Sequence, residues 1–214
     1  MYEPALEEHF DDFARQRHAA RFGMWIFLAS ELLLFAALFV LYFGYRAHYP
    51  QVFSEGVGHN ARAIGTLNTC ILLLGSIAVA LAVNELRRSR TRSAVLLLAA
   101  TTLAAIAFLI LKGSEYAAHL QEGIRPGGQG HFFLEHQEPG WPIFFTLYFA
   151  MTGLHAIHVA VGGVLLGGMT WWVARRRVGA AGAYRVEMGA LYWHLVDLIW
   201  VFLWAMFYLM GGHG

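Results

Sequence analysis

Glu187-Met188-Gly189-Ala190-Leu191-Tyr192-Trp193-His194-Leu195-Val196-Asp197-Leu198-Ile199-Trp200-Val201-Phe202-Leu203-Trp204-Ala205-Met206-Phe207-Tyr208-Leu209-Met210 decides the fold. The twenty-three residues after Glu187 are almost wholly apolar. At about 1.5 Å of rise per residue a helix of that length covers roughly 35 Å, enough to cross a hydrocarbon core of about 30 Å. Three ionisable side chains sit in or beside it: Glu187, His194 and Asp197. On a helical wheel they fall within about 80° of one another, a single polar stripe. Trp193, Trp200 and Trp204 lie beside that stripe and are candidates for lipid contact. An ionisable group at mid-bilayer costs from ~3 to over 10 kcal/mol, so the stripe must face protein or water.

The same character repeats outward from this segment. Apolar runs cover about residues 22–45, 63–84, 93–121 and 142–174, giving with 187–210 an all-α, polytopic bundle of five transmembrane helices. The chain is 58% hydrophobic with mean hydropathy +0.50, and only 14% of it is charged. Soluble domains carry about 25% charged residues, so the deficit places most of the chain in lipid. A net charge of +1 leaves no basic surplus for a nucleic-acid partner. Cys70 is the only cysteine, which excludes disulfides and thiolate metal clusters within the chain. The acidic opening residues and the length of the first run do not fit a cleavable signal peptide.

Residues 1–21 form a polar tail, with Leu6, Phe10 and Phe13 at helical spacing. That pattern fits a short helix on the membrane surface and equally a frayed tail. Residues 22–214 form one five-helix domain. The third helix is expected to run past the bilayer to Gln121, with Gly123 as its terminator. The fourth run, Trp141 to Ala174, is about 51 Å long as a helix and must tilt or project. The long third loop reads as an ordered external turn; its Gly127-Gly128-Gln129-Gly130 does not follow a strand and is no phosphate cradle. Five spans put the termini on opposite sides. The tail, second loop and fourth loop hold eleven arginines; the other side holds Arg46, Arg62, Lys112 and Arg125. By the positive-inside rule the N-terminus is cytoplasmic and the C-terminus periplasmic.

The polar residues within the spans carry what chemistry the sequence has. Glu31, among leucines, must be neutral or paired; it reads as a proton-handling carboxyl or as a structural hydrogen bond to a neighbouring helix. His155 and His158 share a face with Gly162. They fit either haem or metal ligation, with His194 as an opposed histidine, or imidazoles bonded across a close helix contact that Gly162 and Gly163 permit. Glu115, His119 and Glu122 share another face, but Glu-x-x-x-His is not the di-iron bundle spacing and has no second copy. They are expected to form an ion-pair cluster near the outer surface, with Lys112 and Arg125 as partners.

These residues, in this order, resemble subunit III of the haem–copper oxidase superfamily over nearly all the chain after residue 21. Glu31-Leu-Leu-Leu-Phe35-Ala36 through Tyr42 is similar to that family's buried-glutamate helix. Asn68-Thr69 and Glu115-Tyr116 match its Asn-Thr and Glu-Tyr pairs. Thr152-Gly153-x-His155-x-x-His158-Val159-x-x-Gly162 and Glu187 with Tyr192-Trp193-His194-x-Val196-Asp197-x-x-Trp200 are the most specific parts. The five spans are similar to the short bacterial form rather than to the seven-span mitochondrial type.

The resemblance implies a redox-inactive chain in the bacterial inner membrane, packed against catalytic subunit I and near subunit II of a proton-translocating cytochrome c oxidase. Haem and copper would belong to the partner subunits, with no metal and no catalytic centre in this chain. Phospholipid would bind in a V-shaped cleft, and the subunit would support proton uptake. Glu31 would be the reactive buried carboxyl. Asn68, Glu115, His155, His158, Glu187, His194 and Asp197 would form an interhelical network and subunit contact. Lys112-x-x-Glu115-Tyr116 is also similar to the subunit III-like protein associated with nitric oxide reductase. Two alternatives therefore stand beside the oxidase reading: that accessory protein, and a stand-alone membrane haem protein using His155, His158 and His194.

Overall fold

The structure, a computed structural model, describes residues 12–176 and 183–211. The surface-helix reading of Leu6 and Phe10 falls outside the described residues. Among the described residues seven α-helices follow one another: α1 (Phe13–His48), α2 (Pro50–His59), α3 (Arg62–Arg87), α4 (Thr91–Gln121), α5 (Phe132–Glu135), α6 (Gly140–Arg176) and α7 (Ala183–Trp204). A π-helical turn, Ala205–Leu209, ends α7. Five helices are long and apolar enough to cross a membrane: α1, α3, α4, α6 and α7. Each begins before its apolar stretch, α1 by nine residues and α7 by four. At the start of α1, Asp12 Oδ1 accepts from the Arg15 backbone N–H at 2.7 Å. α4 runs to Gln121, and Gly123 takes a left-handed φ of +76° just beyond, as a helix terminator does.

Packing between these helices cannot lean on the hydrophobic effect, since lipid tails are as apolar as leucine. Small residues and hydrogen bonds hold it instead. α3 and α4 form a tight hairpin in which Thr101 Oγ1 donates to the Gly75 carbonyl at 3.1 Å. α6 lies along α4, and α7 fits between α3 and α6. Gly162 lets α6 approach α7: a Cβ there would stand 3.0 Å from the Trp193 ring, so the close contact expected of this glycine is present. α1 is the outlier. It meets α6 and α7 through one stripe, Leu28, Phe35 and Tyr42, spaced seven apart, while Leu33 and Val40 stay more than 70% exposed. Such side chains are stable only against lipid or another polypeptide.

Both ends of the bundle are tied by arginine. At one end Glu187 accepts from Arg87 at 2.8 Å and lies 3.8 Å from Arg21, joining α7 to α3 and α1. At the other, the π turn leaves backbone carbonyls without helical partners, and side chains from three places bind them. Tyr42 donates to the Met206 carbonyl at 2.8 Å, Asn60 to Phe207 at 2.8 Å, Arg62 to Tyr208 at 2.9 Å, and Arg46 to Met210. Cations beside a helix C-terminus also face the negative end of its dipole.

Candidate functional site

The most heavily bonded polar group in the membrane interior is Lys112, at 2% exposure. It reaches from α4 toward α6 and the π turn. An ammonium has three N–H donors, and all three are used: Glu115 Oε2 at 3.0 Å, Tyr148 Oη at 2.8 Å and Tyr208 Oη at 2.7 Å. The Tyr208 hydroxyl in turn donates to the Glu115 carboxylate at 2.8 Å. The rings of Tyr148 and Trp200 lie 4.4 and 5.7 Å from the charge, within cation–π range. Gly65 makes room for this, since a Cβ there would stand 2.6 Å from the Tyr208 ring. One turn further along α4, His119 faces the Glu115 carbonyl with Nδ1 and Asn60 Oδ1 with Nε2. The polar column thus runs from the Lys112 pair to the capped end of α7.

A second polar pair joins α1 to α6. His158 Nδ1 sits 2.8 Å from the Leu154 carbonyl, and its Nε2 sits 2.8 Å from Glu31 Oε2. With Nδ1 donating to the backbone carbonyl, the contact between Nε2 and Oε2 is a direct side-chain hydrogen bond between the two helices. Both side chains are partly exposed at the edge of the bundle. On α7, His194 Nδ1 lies 2.6 Å from Ser76 Oγ of α3, and Asp197 one turn on interacts with the same serine.

Among the described residues, Asn68 and His155, both at 0% exposure, make no side-chain hydrogen bond, and one carboxylate oxygen of Asp197, Oδ1, is left without one. His155 is enclosed by rings: Trp200 stacked at 5.2 Å, Phe108 at 5.6 Å and Phe35 at 6.4 Å. Trp200 then donates its indole N–H to Thr69 Oγ1 at 3.0 Å.

Comparison with known proteins decides what this architecture is. The family model for cytochrome c oxidase subunit III matches residues 9–134 and 140–212. The chain belongs to the subunit III family of the haem–copper oxidases. Among its relatives, quinol oxidase subunit 3 of Bacillus spizizenii is 26% identical, over 88% of this chain and 86% of its own. Cytochrome bo(3) ubiquinol oxidase subunit 3 of Buchnera aphidicola is 25% identical, over 91% and 96%. Cytochrome c oxidase subunit 3 of Neurospora crassa is 30% identical, over 88% of this chain and 66% of its own.

With this subunit III in view, several sequence expectations need correction. Trp193 and Trp200 are not lipid contacts: at 1% and 0% exposure both are covered by neighbouring helices, and only Trp204 is partly exposed. A wheel shows which residues share a face, but not how many neighbours cover it. Asn68, Glu115, His155 and Asp197 are buried inside the chain, so they are not themselves at a subunit contact. Glu187 stands at the arginine-rich end rather than within an intramembrane network. The Glu115 cluster is internal, not superficial; Glu122 and Arg125 are exposed, and Lys112 pairs with Glu115 as expected.

The three histidines of the stand-alone haem reading each have other neighbours: His155 is surrounded by the rings of Trp200, Phe108 and Phe35, His158 is bonded to Glu31, and His194 to Ser76. Among the described residues no three His, Cys, Asp or Glu side chains converge as a metal site. The sequence does not mark Tyr148 and Tyr208 as partners of Lys112, nor Asn60 and Arg46 as partners of the end of α7. A tyrosine in an aromatic-rich span carries no mark of its partner, although lysine inside a membrane helix signals that partners must exist.

Proposed function

We propose that this subunit III is the redox-inactive accessory chain of a bacterial terminal oxidase. It packs beside catalytic subunit I in the inner membrane, with subunit II in the same complex and haem and copper confined to those partners. One observation supports this most. Interior ionisable side chains bond to one another within the chain, as Lys112 does to Glu115 and Glu31 to His158. Such mutual bonding suits a scaffold that packs beside another polypeptide. The Glu31–His158 pair, partly exposed at the edge of the bundle, and His194 are the polar groups positioned to act beyond the chain, the first through the carboxyl that supports proton uptake.

Extraction in mild detergent tests the assignment. Subunits I and II should co-purify, and the Soret absorbance should follow them. A Soret band that stays with the separated subunit III would overturn it. Replacing Glu31 by Ala should leave haem content and the initial rate intact while the complex inactivates after fewer turnovers. Loss of haem on that substitution would assign Glu31 to assembly instead.

A further inference from the structure

We propose that the cavity between the α3–α4 turn and the end of α6 holds the headgroup of an anionic phospholipid from the arginine-rich leaflet. The cavity measures about 880 Å³. Its rim is the turn itself, with the hydroxyls of Ser89 and Ser93 and the guanidinium-bearing Arg90 and Arg92; its lower wall is Leu96 and Ala174. The two sets are stacked along α4, so polarity changes to hydrocarbon character within about one helical turn. That gradient is the profile of a lipid at its phosphate, and a soluble anion has no use for the apolar half.

Charge selects the headgroup. Arg90 lies 3.7 Å from Glu85, a loose pair at the surface. Arg92 makes no ion pair among the described residues. Arg175, the residue after Ala174, has its guanidinium 5.2 Å from the Trp171 ring, and Trp171 is exposed where a membrane interface would run. The cavity mouth therefore has a positive surplus that a zwitterionic headgroup does not neutralise. The groove at the opposite end of α1, lined by Val40, Gly44, Tyr45 and His48, has comparable apolar walls but no fixed cation. The inference concerns this chain's own surface and does not depend on which oxidase it joins.

The test uses the full chain in its purified complex, placed in phosphatidylcholine nanodiscs containing a minor fraction of phosphatidylglycerol, with bound lipid counted by native mass spectrometry. The wild type should retain phosphatidylglycerol in preference to phosphatidylcholine, and excess inorganic phosphate should not displace it. Arg92→Gln should weaken retention roughly fivefold, and Arg90→Gln with Arg92→Gln together by roughly twenty- to thirtyfold. Leu96→Trp, which fills the cavity and keeps every charge, should also lose the lipid; it carries the test if the double variant proves unstable. Arg125→Gln, at the other end of the bundle, should bind as the wild type does. Equal retention of the two lipids, unchanged binding in both the double variant and Leu96→Trp, or an equal loss in Arg125→Gln would overturn the proposal. Displacement by phosphate would show a soluble-anion site instead.

Discussion

At the scale of single residues, Lys112 shows how a membrane interior tolerates charge. Its three donors, the Glu115 carboxylate and two tyrosine hydroxyls close on one another, leaving none of the cluster's bonds to be made with lipid. Removing one member should be far worse than removing the pair. Lys112→Met strands a buried carboxylate and should cost about 3–5 kcal/mol, whereas Lys112→Met with Glu115→Leu should recover most of that. Thermal unfolding in mild detergent of the wild type, both singles and the double measures the coupling; additive losses would show that the charges do not depend on each other. Lys112 and Glu115 were legible as a pair because they lie three residues apart on one helix. Tyr148 and Tyr208 were not, being 36 and 96 residues away from Lys112 and identical in kind to tyrosines elsewhere in the spans. The pairing of Glu31 with His158 was likewise hidden, since sequence names both residues as costly in lipid but carries no distance between α1 and α6.

At the scale of elements, the end of α7 depends on side chains from elsewhere in the fold. Met210 N–H bonds to the Ala205 carbonyl, one residue wider than an α-helix allows, and Asn60 Nδ2 meets the Phe207 carbonyl in a buried position. Asn60→Ala should leave both that carbonyl and His119 Nε2 without a partner, at a cost of about 1–3 kcal/mol. Hydrogen exchange should then quicken at the amides of residues 207–210 by roughly tenfold, with the mid-helix amides of α4 unchanged. Equal acceleration everywhere would mean global destabilisation and not release of the turn. Gly65→Ala should have a related effect by another route, pushing the Tyr208 ring off Lys112 and lowering thermal stability; retention of wild-type stability would show that the ring has room to shift. The five long helices were visible in the sequence because each needs only a sustained apolar run. α2, α5 and the π turn were not: four to ten residues of mixed character are shaped by what they pack on, as Phe53 of α2 is by Phe144.

At the scale of the whole molecule, the two ends of the bundle differ in how they use positive charge, and this bears on which way it sits. In the sequence, eleven arginines fall in the tail, the second loop and the fourth loop, and four basic residues in the remaining connections and span ends. Structure sharpens that contrast. Of the four, Arg46 and Arg62 bind carbonyls at the end of α7 and Lys112 is buried against Glu115, which leaves Arg125, among the described residues, as the one whose side chain makes neither a hydrogen bond nor an ion pair. The positive-inside rule acts on charges that would have to cross the membrane, so the arginine-rich end should remain in the cytoplasm. The single native cysteine makes this measurable, because Cys70 is exposed on the membrane-embedded part of α3, where a membrane-impermeant maleimide has no access. Gly58→Cys, in open space at the end with few charges, should label in intact cells. Arg88→Cys, at the other end, should label only after the membrane is opened. The reverse pattern would invert the molecule, and labelling of both in intact cells would mean that an odd number of crossings between these two positions is wrong.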